Sequence, residues 1–225
     1  QKNDYGVDVT FDQHHNIFVT ATVTNANDST YDIALLKYSS SGSLIWSSQY
    51  NGPASKADIP TSVAVDQNDD IYIGASSEGT NSLADYLTLK YNSSGTLQWT
   101  NRYDKAQLVD VPVKIEVNSN NDVIISGGSA SSSQNWDFTT LQYSHTGTPL
   151  DTVRKPSPGP GFDRPTDMDQ GIHENYYITG SGTSGGTDYD IKTIKLNDTL
   201  GVDWTKTIDG YGLEDGANAV AVGLH

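Results

Sequence analysis

The sequence predicts an all-β fold made of tandem four-stranded units, and three observations lead to it. A motif recurs every 52 to 53 residues, each copy holds four strand patterns, and no stretch shows helical periodicity. The motif runs from an aspartate through a strand and a glycine turn to a tryptophan in three of its four copies; its leading residues are Asp32, Asp85, Asp137 and Asp190. A constant period indicates tandem duplication of one supersecondary unit.

A second series of aspartates keeps the same period and divides the chain into units. Its members advance by 54, 52, 53 and 52 residues: Asp4, Asp58, Asp110, Asp163 and Asp215. We therefore predict one array over residues 1–225, with units at about 4–57, 58–109, 110–162 and 163–214 and a partial fifth unit at 215–225.

The four strands of a unit follow from residue pattern and turn chemistry. The first strand alternates β-branched residues, as in TSVAVD at 61–66, and the second is a short apolar run such as 71–75. The third strand begins at the repeated aspartate, and the fourth carries Trp46, Trp99 or Trp204. Polar clusters close the first hairpin, and a Gly that can adopt positive φ closes the third (Gly42, Gly95, Gly147 and Gly201). Four strands per roughly 50 residues predict antiparallel blades of a β-propeller.

The repeat also resembles a known family. Its pattern combines an aspartate-led first strand ending in VD, IYI or IFV in the second strand, D-x-x-L-x-K-Y in the third, a glycine turn and a Trp. This combination is similar to the seven-bladed β-propeller repeat of bacterial secreted and surface proteins. The third copy departs from the pattern at Gln142 and Asp151, and the fourth at Leu196. The resemblance implies the fold and an extracellular or cell-surface setting, and it carries no catalytic motif.

Composition excludes several classes of partner and chemistry. The chain has 13 Lys plus Arg against 28 Asp plus Glu, a net charge of -15, so nucleic acid and anionic membranes would be repelled. It has no Cys, which excludes disulfides and thiol chemistry, and no apolar stretch of membrane-spanning length. We expect neither nucleic-acid binding nor direct membrane insertion.

Four blades and one strand do not make a ring, because a propeller closes when its last blade meets its first. We therefore expect another chain, or a segment outside this sequence, to complete the propeller. The stub from Asp215 is a copy of the first strand, and we expect Val220 and Val222 to be buried against the fourth blade.

The repeated charged residues are interpreted as structural. Four equivalent aspartates on four blades do not supply the unlike environments that a catalytic pair needs, and side-chain bonds to loop backbone explain them better. Asp66, Asn68 and Asp70 have the spacing with which calcium loops begin, but the flanking strands leave no room for a later bidentate Glu. We assign no catalytic residue, no metal ligand and no cofactor.

Recognition is expected on the face of the disc that carries the long loops. In an up-and-down blade the second-to-third and fourth-to-first connections emerge on one side, and here both are long. Aromatic residues lie in or beside these loops amid Ser, Thr, Gly and Asn: Tyr31, Trp136, Phe162, Tyr189 and Tyr211. Such surfaces suit a protein or carbohydrate ligand, although the same rings could pack on neighbouring blades.

Three functions remain open from the sequence. The first is a non-catalytic extracellular propeller that acts as an interaction or scaffolding module of a bacterial surface or secreted protein. The second is a polysaccharide-active enzyme domain that uses the acidic residues facing the channel, which are Asp8, Glu116, Asp167 and Asp169. The third is a purely structural segment completed by another chain.

Overall fold

The structure, a computed structural model, describes residues 3–25, 30–132, 135–156, 161–183, 188–210 and 214–223. It confirms the all-β prediction: the described residues form sixteen strands and one short 3-10 turn at Ile172–Glu174, with no α-helix. The strands are β1 Tyr5–Phe11, β2 Ile17–Thr24, β3 Tyr31–Tyr38, β4 Leu44–Tyr50, β5 Asp58–Val65, β6 Ile71–Glu78, β7 Ala84–Tyr91, β8 Leu97–Tyr103, β9 Asp110–Val117, β10 Val123–Ser132, β11 Asn135–Tyr143, β12 Pro149–Lys155, β13 Arg164–Gln170, β14 Tyr176–Thr183, β15 Tyr189–Leu196 and β16 Val202–Ile208.

Consecutive strands form four antiparallel sheets of four, in the orders β1–β4, β5–β8, β9–β12 and β13–β16. We call these sheets blades I to IV. The first hairpins of blades I and II are held by side-chain caps: Asp12 accepts the backbone N–H of His14 and Asn16, and Asp66 accepts those of Asn68 and Asp70. An acceptor at the start of the turn fixes the register of the hairpin.

The first strands lie innermost and bind one another across blades. Asp8 of blade I accepts the backbone N–H of Val63 in blade II at 3.0 Å, and Ser62 accepts that of Ile115 in blade III at 3.2 Å. Lys114 of blade III reaches Asp8 of blade I, with 3.8 Å between Nζ and Oδ2. An ion pair that spans two blades shows that the inner strands converge on a common axis.

Three apolar cores lie between adjacent blades. One joins blades I and II around Phe18, Leu35 and Ile73, the second joins II and III, and the third joins III and IV around Phe138 and Ile178. In the described residues no such core joins blade IV to blade I, so the four sheets form an open array. The outer faces of the two end blades are uncovered.

Tryptophan and glycine meet at two of these interfaces. Trp46 of blade I packs on Gly95 of blade II, and Trp99 of blade II packs on Gly147 of blade III; in each case the glycine has φ near +80° and a built Cβ would lie 2.9 Å from the indole. Each indole Nε1 donates to a carbonyl of the same turn, on Ser93 at 3.3 Å or His145 at 3.1 Å. We call this arrangement the tryptophan–glycine contact.

The interface between blades III and IV uses a different pair. Asp151 stands at the tryptophan position of blade III, and Leu200 occupies the place of the turn glycine in blade IV. We expected Gly201 to supply the positive φ of this turn, but Leu200 adopts it, at +57°, and is buried in the third core. At this interface the leucine side chain takes the place that an indole has at the other two interfaces. Its packing offsets the strain of the positive φ.

Two details depart from the sequence predictions. The second-to-third connection of blade III, expected to be a long loop, is largely strand, because β10 continues to Ser132 with Ala130 still paired to Trp136. The stub has no regular strand, and Val220 and Val222 are half-buried rather than buried. Their N–H groups still bind Asp167 and Asp169 of blade IV at 3.0 and 2.6 Å. Without sheet partners in the described residues, the stub keeps the place of an inner strand but not its regular pairing.

Candidate functional site

Three of the aromatic residues predicted on the long-loop face come together beside blade IV. Trp136 and Phe162 form a parallel bridge, in which the N–H of Trp136 donates to Gly161 at 2.9 Å and its carbonyl accepts from Asp163 at 3.0 Å. Tyr189, at the start of β15, approaches the same place from the other side of Arg164. Tyr211 lies outside the described residues.

Arg164 lies between two of these rings. Its guanidinium carbon is 5.7 Å from the centroid of Phe162 and 5.6 Å from that of Tyr189, within the range of cation–π attraction. Arg164 is an exposed residue, and no carboxylate of the described residues lies within ion-pair distance of it. The two rings thus flank an exposed cation.

An open cleft of about 250 Å³ lies beside this arginine. Arg164, Ser181 and Tyr189 form one side, and the other side is formed by Glu214, Asp215 and Gly216 at the start of the stub. We call it the aromatic–arginine cleft. It offers cationic, carboxylate, hydroxyl and aromatic surface within one small region, which is the mixture found in sites for polar ligands.

Tyr31 does not belong to this cleft. It occupies in blade I the repeat position that Tyr189 occupies in blade IV, but its neighbour is Tyr5, with the ring centroids 6.4 Å apart and the rings edge to face. The sequence analysis missed Arg164. A signal was present, because Arg164 is one of few cations in an acidic chain and follows Phe162 by two residues.

The repeated aspartates have partners within the chain. In the third-strand series, Asp85 binds Arg102 at 2.7 Å and Asp137 binds Arg154 at 2.6 Å, so these two members pair with side chains of the fourth strand. The second series does bind loop backbone. Asp58 accepts the N–H of Gly52, Asp110 that of Lys105 and Asp215 that of Gly210, at 2.6 to 2.7 Å.

Two clusters of potential metal ligands are already engaged within the chain. Asp12 lies close to His14 and Asp69, and Asp85 lies close to Asp104 and Asp110. The Asp12 carboxylate accepts turn N–H groups, and Asp85 is neutralised by Arg102. Asp110 is engaged as well, because its carboxylate accepts the backbone N–H of Lys105 at 2.7 Å. We assign no metal site to either cluster.

Comparison with protein families identifies the repeat. Residues 45–81, which run from β4 through β6, match the beta-propeller repeat family. This match covers one stretch across blades I and II. No curated protein matches it.

Solved structures resemble the propeller only distantly. They include an α-L-arabinofuranosidase from Clostridium thermocellum (11% identity, 90% of this chain and 72% of that one, TM-score 0.47). A β-xylosidase/α-arabinofuranosidase from a compost microbial metagenome has 12% identity, with 67% of this chain and 58% of that one covered and a TM-score of 0.43. A member of the duf4221 family from Bacteroides vulgatus has 9% identity, with 93% and 86% covered and a TM-score of 0.40. The propeller thus spans little more than half of the compost enzyme. In the described residues, no helix is long and apolar enough to cross a membrane.

Acidic side chains of three blades converge at the propeller axis. Burial raises the pKa of Glu116 to about 7; Lys114 opposes this shift, and Asp169, Asp167 and Asp8 add to it. Two of these aspartates are occupied by the stub, since Asp167 and Asp169 accept the N–H groups of Val220 and Val222. The protonation of Glu116 thus changes near neutral pH.

The stability of the propeller should depend on the protonation of Glu116. Because its pKa is raised in the folded state, its contribution is fully present below the ordinary pKa of about 4.5 and is lost as the pH rises through about 7. We expect the free energy of unfolding of the wild type to fall by roughly 1 to 3 kcal/mol between these pH values, and we expect Glu116→Gln to abolish this fall. Urea denaturation of both proteins at several pH values measures the two free energies. Parallel pH profiles for the two proteins would contradict the assignment.

Proposed function

We propose that this propeller is a non-catalytic interaction module of a secreted or cell-surface bacterial protein, and that it binds a protein or carbohydrate ligand in the aromatic–arginine cleft. The observation that carries the proposal is the arginine held between two aromatic rings beside an open cleft. Arg164 and Tyr189 are the principal contacts, and Phe162 holds the arginine from the other side.

Preorganisation supports this role. Fixing a long cationic side chain normally costs conformational entropy on binding, and the two flanking rings reduce that cost in advance. The guanidinium then donates to ligand oxygens, while Glu214 and Asp215 on the opposite side accept from hydroxyl or amide groups. Tyr189 adds an aromatic surface of the kind that dominates recognition sites.

The proposed setting rests on composition and on the repeat. The chain is rich in Asn, Ser, Thr, Gly and Tyr and has no Cys. Its charge of -15 favours solubility and disfavours polyanions. We expect the full protein to work outside the bacterial cell, and fractionation of the producing cells would test that expectation.

Two variants at equivalent repeat positions test the site. A panel of oligosaccharides and secreted proteins is screened against the immobilised chain, and hits are compared for the wild type, Tyr189→Ala and Tyr31→Ala. We expect Tyr189→Ala to weaken binding by about thirtyfold, as loss of a recognition hot spot does, and Tyr31→Ala to retain it. A ligand bound equally by wild type and Tyr189→Ala, or lost in Tyr31→Ala alone, would place recognition elsewhere.

A second candidate function is a polysaccharide-active site at the channel, and the raised pKa of Glu116 favours it. A carboxyl group that is half protonated near pH 7 is poised as a general acid, and Asp8, Asp167 and Asp169 are its neighbours. If this site is catalytic, Glu116→Gln abolishes release of reducing sugar from a polysaccharide panel and Tyr189→Ala does not abolish it. Absence of turnover by the wild type would leave the binding module as the function.

A further inference from the structure

The lysine of blade II shows how this fold binds an ammonium group between two blades. Lys90 Nζ lies 2.8 Å from the carboxylate of Asp70, at the end of the first hairpin, and donates to the carbonyl of His145 in blade III at 3.0 Å. Trp99, directly opposite Lys90 on the next strand, donates to the same carbonyl at 3.1 Å. The ammonium group is thus held by a carboxylate of its own blade and a carbonyl of the following blade.

Blade III keeps both acceptors and lacks both donors. Asp122 stands at the repeat position of the blade II carboxylate, and Asp198, in the corresponding turn of blade IV, stands at that of the accepting carbonyl. The lysine is replaced by Gln142 and the tryptophan by Asp151, which pair across the strands. Asp122 is left with the Gln142 amide at 3.3 Å, and the Asp198 carbonyl accepts no hydrogen bond from the described residues.

An open cleft of about 360 Å³ lies between blades III and IV where these side chains are missing. It is on the face of the short hairpins, opposite the aromatic–arginine cleft, and we call it the acidic cleft. Its walls carry four carboxylates and three amides, from Asp122, Asp151, Glu174, Asp198, Asn118, Asn120 and Gln142. No lysine or arginine of the described residues lies within ion-pair distance of these carboxylates.

Two buried side chains at this cleft have polar atoms without partners. Gln142 lines the cleft and is only 8% exposed; its amide donates to Asp122, but its Oε1 accepts no hydrogen bond from the described residues. The Tyr176 hydroxyl is completely buried beside Asn118 and has no partner at hydrogen-bonding geometry. Burial of a polar atom without a partner costs free energy, and a donor that enters the cleft relieves this cost at Gln142.

We propose that the acidic cleft binds a small polyamine, with one ammonium group at the place that Lys90 Nζ takes in blade II. This group donates to the Asp122 carboxylate and the Asp198 carbonyl, and Gln142 Oε1 accepts its third proton. The other carboxylates of the walls bind the remaining ammonium groups. The site is separate from the aromatic–arginine cleft and does not depend on the function proposed there.

The spread of the carboxylates favours a polyamine over a metal ion. A divalent cation needs its oxygen ligands within about 2.6 Å of one point. In the part of the chain that the structure describes, the acidic groups close enough to share an ion are those around Asp12 and Asp85, and neither group belongs to this cleft. Separate ammonium groups on an aliphatic chain match separate carboxylates, and Leu150 on the cleft wall offers the chain apolar contact.

Calorimetric titration of the 225-residue chain with spermidine tests the proposal. We expect the wild type to bind spermidine and Asp122→Asn to weaken binding by about tenfold or more, as loss of a charged hydrogen-bond acceptor does. Gln142→Lys restores the lysine of the repeat, so the protein's own ammonium group should fill the site and abolish binding. Glu78→Gln removes an exposed charge at the long-loop end of blade II and should leave the affinity unchanged.

The same variants separate this site from general attraction to an acidic chain. Asparagine stands at the position of Asp122 in blade I, as Asn16, so Asp122→Asn should fold, and melting curves verify it. Equal weakening by Asp122→Asn and Glu78→Gln would reduce the binding to non-specific attraction by the net charge of -15 and overturn the proposal. A wild type that binds no spermidine would also overturn it, whether or not calcium chloride titrated in its place is bound.

Discussion

Replacing Lys192 by methionine is expected to lower the free energy of unfolding by about 3 to 5 kcal/mol. Lys192 Nζ lies 2.6 Å from Asp163 Oδ2, and both side chains are almost completely buried. Removal of the cation leaves the Asp163 carboxylate in a low-dielectric interior without its counter-charge. Equilibrium denaturation in urea measures the loss.

A surface pair supplies the control. Lys195 binds Asp203 at 2.8 Å with both side chains partly exposed, and Lys195→Met should remain close to wild type. The double variant Lys192→Met, Asp163→Asn should recover part of the lost stability because no charge is left unpaired. Equal losses of unfolding free energy in Lys192→Met and Lys195→Met would show that the buried pair stabilises the fold no more than the surface pair does.

Trp99→Ala is expected to cost about 2 to 4 kcal/mol, somewhat below the range for a fully buried tryptophan because the indole is only partly covered. Trp99 packs on Gly147, lies 6.1 Å from the Tyr72 ring and donates to the carbonyl of His145. Trp204→Ala, at the equivalent position without a following blade, should cost less than about 1 kcal/mol in the monomeric chain.

Thermal and urea unfolding of both variants, at a concentration where the chain is monomeric, gives the comparison. If the two variants lose the same free energy of unfolding, the tryptophan stabilises its own blade and not the contact between blades.

The repeat made most of the fold predictable. Two series of aspartates and the alternation of β-branched residues are local signals, and they predicted four-stranded blades and their order. The polar turns of the first hairpins were predicted for the same reason, and the caps at Asp12 and Asp66 that hold them are local as well. The common place of the tryptophans in the repeat predicts that all three pack between blades. Trp46 and Trp99 do so, whereas Trp204 is 36% exposed.

Contacts between blades were not predictable in the same way, since their partners lie about fifty residues apart and depend on side-chain geometry. Leu200 illustrates this, because its positive φ goes together with burial of its side chain in the core between blades III and IV. The cleft around Arg164 is another example. Phe162 and Tyr189 were recognised as aromatic residues near loops, but only the fold brings them to opposite sides of one guanidinium.

The joint presence of Asp151 at the tryptophan position and Leu200 at the glycine position bears on how such a gene can lengthen or shorten. Unequal recombination inserts or deletes whole repeats, and a junction survives when the new neighbours fit. Loss of the second repeat would join Trp46 to Gly147 and keep a fitting junction. Loss of the third would force Trp99 against Leu200, and loss of the fourth would leave Asp151 facing whatever followed. The third and fourth repeats are thus expected to be inherited as one unit, while the first two are interchangeable.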